Sequence, residues 1–230
     1  MKKYDTVIFD LDGTLLNTLD DLTDSVNYVL AKYSCPTKTV REICSYVGNG
    51  VKLLMERAVP MGAENPHFDE MFAEFVSYYE AHCNDKTAPY EGVLDLLKDL
   101  KARGYKMAIV SNKFDSAVKD LSKLYFKDMM SAAIGENEAK GIRKKPAPDT
   151  VIQALSELGS DKASSVFVGD SDVDFKTAQN SGLDCISVLW GFRDKEFLEG
   201  CGASVFASTP KEVLEIIEGE QFCLRKCYLP

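Results

Sequence analysis

Positive charge is scarce in this chain: 27 lysines and arginines stand against 36 aspartates and glutamates, a formal net charge of -9 over 230 residues. Proteins that bind nucleic acid draw most of their affinity from basic side chains neutralising phosphates, so the balance speaks against such a partner. A small anionic ligand is still compatible, because a local site can be positive on an acidic protein. No C-x-x-C pair occurs, and the cysteines number seven, with Cys223 and Cys227 the nearest two. An odd set without that spacing reads as reduced thiols rather than a disulfide framework or a zinc site. No apolar run approaches the roughly 20 residues of a membrane helix. The N-terminal apolar stretch is short and broken by Asp10 and Asp12, unlike a signal peptide, so a cytoplasmic location is expected. Long Gly/Ser linkers, low-complexity tracts and internal repeats are missing too. The lone tryptophan, Trp190, reads as a packing residue, and His67 and His82 read as surface groups. The stretch from Gln221 to Pro230 has no clear period and carries no functional reading.

What is present is an alternation of short apolar runs and helical patterns. Val7–Phe9, Met107–Val110, Val166–Val168 and Cys185–Val188 suit strands buried on both faces, as in a parallel sheet. Ser131–Ile134 and Ser204–Ala207 are weaker strand candidates. Helical spacing runs through Leu94–Leu100, Ser116–Leu124, Thr150–Leu158 and Lys211–Ile217. The alternation predicts an α/β domain with a doubly wound, Rossmann-like parallel sheet. From Asn17 to Asn84 there is no strand pattern. Leu19, Leu22, Val26, Val29, Leu30 and Tyr33 are spaced for one helix face. Val40–Val47, Val51–Ala58 and Phe68–Tyr79 give three more, which together predict a helical bundle. The expected domains are therefore a core of residues 1–16 and 86–230, with an inserted α-helical cap at 17–85.

Ligands of open parallel sheets bind beyond the carboxyl ends of the strands, so the residues that follow each strand matter most. Asp10, Asp12 and Thr14 follow the first run, and Ser111, Asn112 and Lys113 the second. Gly169, Asp170, Ser171, Asp172 and Asp174 follow Val166–Val168. Arg143-Lys144-Lys145-Pro146 precedes the helix leading into that strand. Carboxylates at 10, 170 and 174 are hard oxygen ligands that suit Mg²⁺. Lys145 can balance their charge, while Ser111, Asn112 and the turn to Thr14 offer donors to an anion. A divalent cation, an ammonium and a ring of donors describe a phosphoryl site.

The four signatures "DLDGT" at Asp10, "SNK" at Ser111, "KPAPD" at Lys145 and "GDSDVD" at Gly169 resemble those of the haloacid dehalogenase superfamily, in its phosphatase branch. "VGNGVKLLMERA" from Val47 and "LWGFR" from Leu189 look like bacterial phosphoglycolate phosphatases and their relatives. The resemblance implies Asp10 as nucleophile, Asp12 as general acid and base, and Lys145 as counter-charge. It implies phosphate contacts from Ser111 and Asn112, with Thr14 steadying the turn or Asp12. Mg²⁺ is expected on Asp10, the Asp12 carbonyl and Asp170, with Asp174 in support. Gly48-Asn49-Gly50 is expected to form a loop that reads a small phosphorylated metabolite. Many relatives carry Asp where this chain has Asn17, a residue that also caps helices well. A monomer or homodimer acting on 2-phosphoglycolate is the leading expectation. A phosphomutase, or a pyrophosphatase or nucleotidase, is the alternative on the same scaffold. A receiver-like signalling module is disfavoured by the cap and by Asp12.

Overall fold

The computed structural model describes residues 3–137 and 141–219. It divides into two compact units, one of Met1–Leu15 with Pro89–Pro230 and one of Leu16–Ala88. The tail reading at Gln221–Pro230, with Cys223 and Cys227, lies outside the described residues.

The first unit is built on a six-stranded sheet of order β5-β4-β1-β6-β7-β8. Its strands are β1 (Thr6–Phe9), β4 (Lys106–Phe114), β5 (Ala132–Glu136), β6 (Ser165–Gly169), β7 (Asp184–Val188) and β8 (Phe206–Ala207). Every neighbouring pair is parallel, and Val7, Ile8 and Phe9 are fully buried at its centre. Burial on both faces is what the unbroken apolar runs require. Connecting helices are α5 (Val93–Ala102), α6 (Asp115–Tyr125), α7 (Asp149–Leu158), α8 (Asp172–Ser181), α9 (Lys195–Gly200) and α10 (Pro210–Glu218). From β1 the chain builds outward through β4 to β5, then returns to β6 and continues the other way. The carboxyl ends of β1 and β6 thus flank the point where the winding reverses, the position at which such sheets bind ligands. Phe9 is in register with Val168 on one side and Ile109 on the other, so residues 10, 110 and 169 reach the rim together.

One strand departs from expectation. β4 runs past Val110 to Phe114, with a register shift against β5 between Val110 and Phe114. Ser111, Asn112 and Lys113 are therefore part of the irregular strand end rather than a loop after it. The short α9 was not legible as a helix, and β8 is only two residues long.

The second unit is built of helices, and a two-stranded sheet pairs β2 (Leu16–Asn17) with β3 (Ala88–Pro89), whose last residue belongs to the first unit. Its helices are α1 (Leu19–Lys32), α2 (Val40–Tyr46), α3 (Val51–Ala58) and α4 (Phe68–His82), the four that the apolar spacing predicts. Their inward stripes meet in one core that includes Leu22, Val26, Leu30, Ile43, Met55, Phe68, Met71 and Phe75. Asn17 accepts the Leu19 N–H through Oδ1 at 3.3 Å, while Thr18 occupies the cap position itself. No described helix is long and apolar enough to cross a membrane.

Asp21 closes this unit. It sits buried in the first turn of α1 and accepts hydrogen bonds from Lys86 N, Thr87 N and Thr87 Oγ1, at 2.9, 2.8 and 2.7 Å. One carboxylate thereby fastens the last residues of the unit to its first helix. Hydrogen bonds to a charged group contribute about 1.5–3 kcal/mol, and orphaned buried donors add to the loss. Asp21→Ala is expected to destabilise the protein by about 3 kcal/mol, read as a lower midpoint in chemical denaturation. A midpoint within error of the parent protein would refute this role.

Candidate active site

Asp10 follows β1 directly, and its N–H continues the ladder to Val168 O at 2.9 Å. Asp170 follows β6, and Asp174 sits in the first turn of α8. The sequence Ser-Asp-Val-Asp fixes that turn through a capping box. The Ser171 hydroxyl accepts from Asp174 N, while Asp174 Oδ2 accepts from Ser171 N at 3.1 Å and from Ser171 Oγ at 2.6 Å. Carboxylate oxygens of Asp10, Asp170 and Asp174 all lie within 4.8 Å of one another, and all three residues are buried. Lys145 lies among them, buried as well. Its ammonium donates to Asp10 Oδ1 at 2.6 Å and to Asp174 Oδ1 at 2.7 Å.

Three acids share this one ammonium. Burial and the charge of Asp174 push the Asp10 carboxyl well above the ordinary carboxylate range, against the pull of Lys145. Burial, then Asp174, raise Asp170 to about 7, even though the Phe192 N–H favours its charged form. For Lys145, burial alone would lower the pKa. The carboxylates of Asp10 and Asp174 outweigh it and hold the ammonium above its ordinary value. A buried acidic cluster with surplus negative charge has the donor chemistry of a site for a hard divalent cation. Asp10 and Asp170 fit that role. Asp174 is tied to Lys145 and to Ser171, as Asp170 is to Thr14 and the Phe192 N–H, and the direct bond from the Lys145 ammonium to Asp174 Oδ1 is what sets Asp174 apart from Asp170.

The remaining candidates fall into distinct groups. Thr14 donates through its hydroxyl to Asp170 Oδ1 at 3.2 Å, which steadies that carboxylate rather than Asp12. Asn112 clamps the backbone of Lys145: Oδ1 accepts from Lys145 N at 2.7 Å and Nδ2 donates to Lys145 O at 3.0 Å. Ser111 Oγ donates to Asp12 Oδ2 at 3.3 Å. Gly48, Asn49 and Gly50 belong to the second unit, between α2 and α3. Gly48 and Gly50 have φ of 119° and 89°, conformations that favour glycine. Arg57 holds their loop by donating to Tyr46 O at 2.7 Å and to Asn49 Oδ1 at 3.1 Å.

Two stretches make contacts not assigned to them from the sequence, the first around Trp190 and Phe192. Trp190 is more than packing: its indole N–H donates to Thr14 O at 3.0 Å. The neighbouring Phe192 N–H donates to Asp170 Oδ2 at 2.7 Å. Backbone donors leave no trace in residue identity, but Gly191 between them does. A Cβ there would lie 2.3 Å from Asp170 Cβ, and one on Gly13 would lie 2.4 Å from Asp170 Oδ2. The second is Lys113, whose ammonium donates to Asp12 Oδ1 at 3.0 Å. His67 and His82 pair with Glu70 and Asp85 on the surface of the second unit.

The chain is similar to several known proteins. A family model for haloacid dehalogenase-like hydrolases matches residues 7–188. A phosphoglycolate phosphatase of Caulobacter vibrioides is 31% identical over 222 residues, covering 92% of this chain and 92% of its own. An N-acetylmuramic acid 6-phosphate phosphatase of Pseudomonas aeruginosa is 25% identical, covering 92% of this chain and 94% of its own. Among solved structures, a Lactobacillus delbrueckii protein provisionally named as a phosphoglycolate phosphatase superposes with a TM-score of 0.90. It is 36% identical over 95% of this chain and 100% of its own.

The raised Asp170 carboxyl yields a pH dependence. In the metal-free protein its pKa rises from the ordinary 3.8 to about 7, so the folded state holds that proton more tightly than the unfolded chain. This contribution to stability is present below about pH 4 and is lost as pH rises toward 7. A divalent cation competes for the same oxygens. The rise in melting temperature caused by Mg²⁺ is therefore expected to be larger at pH 8 than at pH 5. Equal shifts at both pH values would contradict it.

Proposed function

We propose a specific reaction for this chain, which belongs to the haloacid dehalogenase-like hydrolases and is a phosphoric monoester hydrolase similar to phosphoglycolate phosphatases. It hydrolyses a small phosphate monoester through an aspartyl-phosphate on Asp10, with Mg²⁺ as cofactor and 2-phosphoglycolate as the leading substrate. The observation that carries the reading is the gathering of Asp10, Asp12, Ser111, Lys145, Asp170 and Asp174 around the carboxyl ends of three adjacent strands.

Phosphate monoesters hydrolyse so slowly that enzymes accelerate the reaction up to ~10²¹-fold, on the order of 28 kcal/mol. One acid–base group supplies about 10²–10⁴, so positioning and charge neutralisation must supply most of the rest. Asp10, the Asp12 carbonyl and Asp170 would hold Mg²⁺, whose charge offsets that of the phosphoryl oxygens. Lys145 keeps Asp10 in place through Oδ1, leaving Oδ2 as the attacking atom. Ser111 binds a phosphoryl oxygen, and Asn112 acts by fixing the segment that carries Lys145. As the Asp10–phosphorus bond forms and the ester bond breaks, Asp12 gives its proton to the departing oxygen. Asp12, now a base, takes a proton from the water that attacks the aspartyl-phosphate. Phosphate leaves and Asp10 is restored. In the second unit, Asn49 and the loop around it are the candidates for substrate selection.

A sugar phosphate is the second reading, favoured by the likeness to the N-acetylmuramic acid 6-phosphate phosphatase. A phosphate-release screen over 2-phosphoglycolate, sugar phosphates, nucleotides and pyrophosphate separates the readings. 2-Phosphoglycolate is expected to show the highest kcat/KM, and a sugar phosphate in first place would overturn that choice. Phosphoryl transfer between hydroxyls without phosphate release would instead identify a mutase. Asp10→Asn is expected to lower turnover by about 10⁴-fold or more with the fold intact. Retained turnover would remove Asp10 as nucleophile. Chelation should abolish activity and added Mg²⁺ restore it. Asn49→Ala is expected to lower kcat/KM for the preferred substrate more than for p-nitrophenyl phosphate, and equal losses would count against selection by this loop.

A further inference from the structure

We propose that Lys113 is a positioning residue for Asp12: it fixes one oxygen of that carboxyl so that the other faces the ester oxygen. The inference rests on the reading of Asp12 as general acid. Lys113 is a buried cation on the irregular end of β4, two residues from Ser111, and both side chains reach Asp12. Its ammonium reaches Asp12 Oδ1 at 3.0 Å. The side chain of Lys113 is 3% exposed and that of Asp12 16% exposed. The pair is thus shielded from solvent, yet Asp12 keeps an opening.

The rest of the contact is equally directional. Asp12 Oδ2 accepts from Ser111 Oγ at 3.3 Å, and Ser111 Oγ in turn accepts from Lys113 N at 3.2 Å. The two oxygens are held unequally, Oδ1 by an ammonium and Oδ2 by a long bond to a neutral hydroxyl. Charge-assisted bonds are roughly twice as strong as neutral ones. When a phosphate takes the Ser111 hydroxyl, the weaker bond is the one that yields. Oδ2 is then released toward the substrate while Lys113 keeps Oδ1 in place. The Asp12 O–H bond breaks as the new O–H bond of the alcohol forms and its bond to phosphorus breaks.

This role differs from general support of the fold or from holding the phosphate. Misplacing a general acid penalises esters whose leaving oxygen needs a proton, and hardly affects those whose leaving group departs as an anion. The test uses kcat/KM, which reads steps up to departure of the alcohol, for two esters. One is the alkyl monoester ranked first in the screen, and the other is p-nitrophenyl phosphate. Lys113→Met is expected to lower the alkyl value by about 10²-fold and the nitrophenyl value by less than about fivefold, with Asp12→Asn showing the same split. Equal losses on both esters, or no loss on either, would overturn the proposal. A split in Asp12→Asn without one in Lys113→Met overturns it alone, leaving Asp12 as the acid. No split in Asp12→Asn removes the premise and the proposal together. If Lys113→Met does not fold, as judged by its melting curve, Lys113→Gln takes its place under the same criteria.

Discussion

One buried ammonium holds the site together. Lys145 touches Asp10 and Asp174 at 2.6 and 2.7 Å, and all three residues are buried. Breaking a buried ion pair by removing one partner leaves an uncompensated charge and is strongly destabilising. Here the imbalance already runs the other way, with Asp170 as a third acid in the cluster. The lysine is enough to keep the group assembled and too little to neutralise it. That remainder is the chemical ground for the proposed cation site.

Much of the positioning is done by groups with no chemistry of their own. Asn112 grips the backbone of Lys145 from β4, although Lys145 lies 33 residues further along the chain. Thr14 and the Phe192 N–H hold the two oxygens of Asp170, and Trp190 ties the stretch after β7 to the turn after β1. Strands β4, β1, β6 and β7, consecutive in the sheet, thus contribute to one constellation. Shared register among parallel strands lets such distant residues converge without a long loop.

The fold was largely legible because buried parallel strands and amphipathic helices leave different periods in the sequence. The runs at Val7 and Val166 could hardly be anything but central strands, and the spacing from Leu19 to Tyr79 encodes the helical unit. Asp10, Lys145 and Asp170 could be proposed because four separate polar clusters, each beside a predicted strand or helix, together supply the groups of one phosphoryl site. Ser111 and Asn112 were expected as phosphate contacts, but the bonds from Asn112 to the Lys145 backbone and the continuation of β4 beneath them were not, since a polar run after an apolar one reads as the end of a strand. The partners of Lys113 and Asn112 depend on tertiary pairing, which no local pattern carries. Phe192 acts through its amide, a group that every residue but proline possesses.

The tight contacts around Gly13 and Gly191 have a consequence for the acids they enclose. Isolated carboxylates that repel each other can swing apart, and the repulsion fades with distance. Here the backbone of two glycines presses against Asp170, with no space for even a methyl group, while the ring of bonds to Ser171 immobilises Asp174. With little room to separate, Asp170 and Asp174 keep their charges close together. An absence of side chain at two positions thereby fixes where one carboxylate of the cluster can stand.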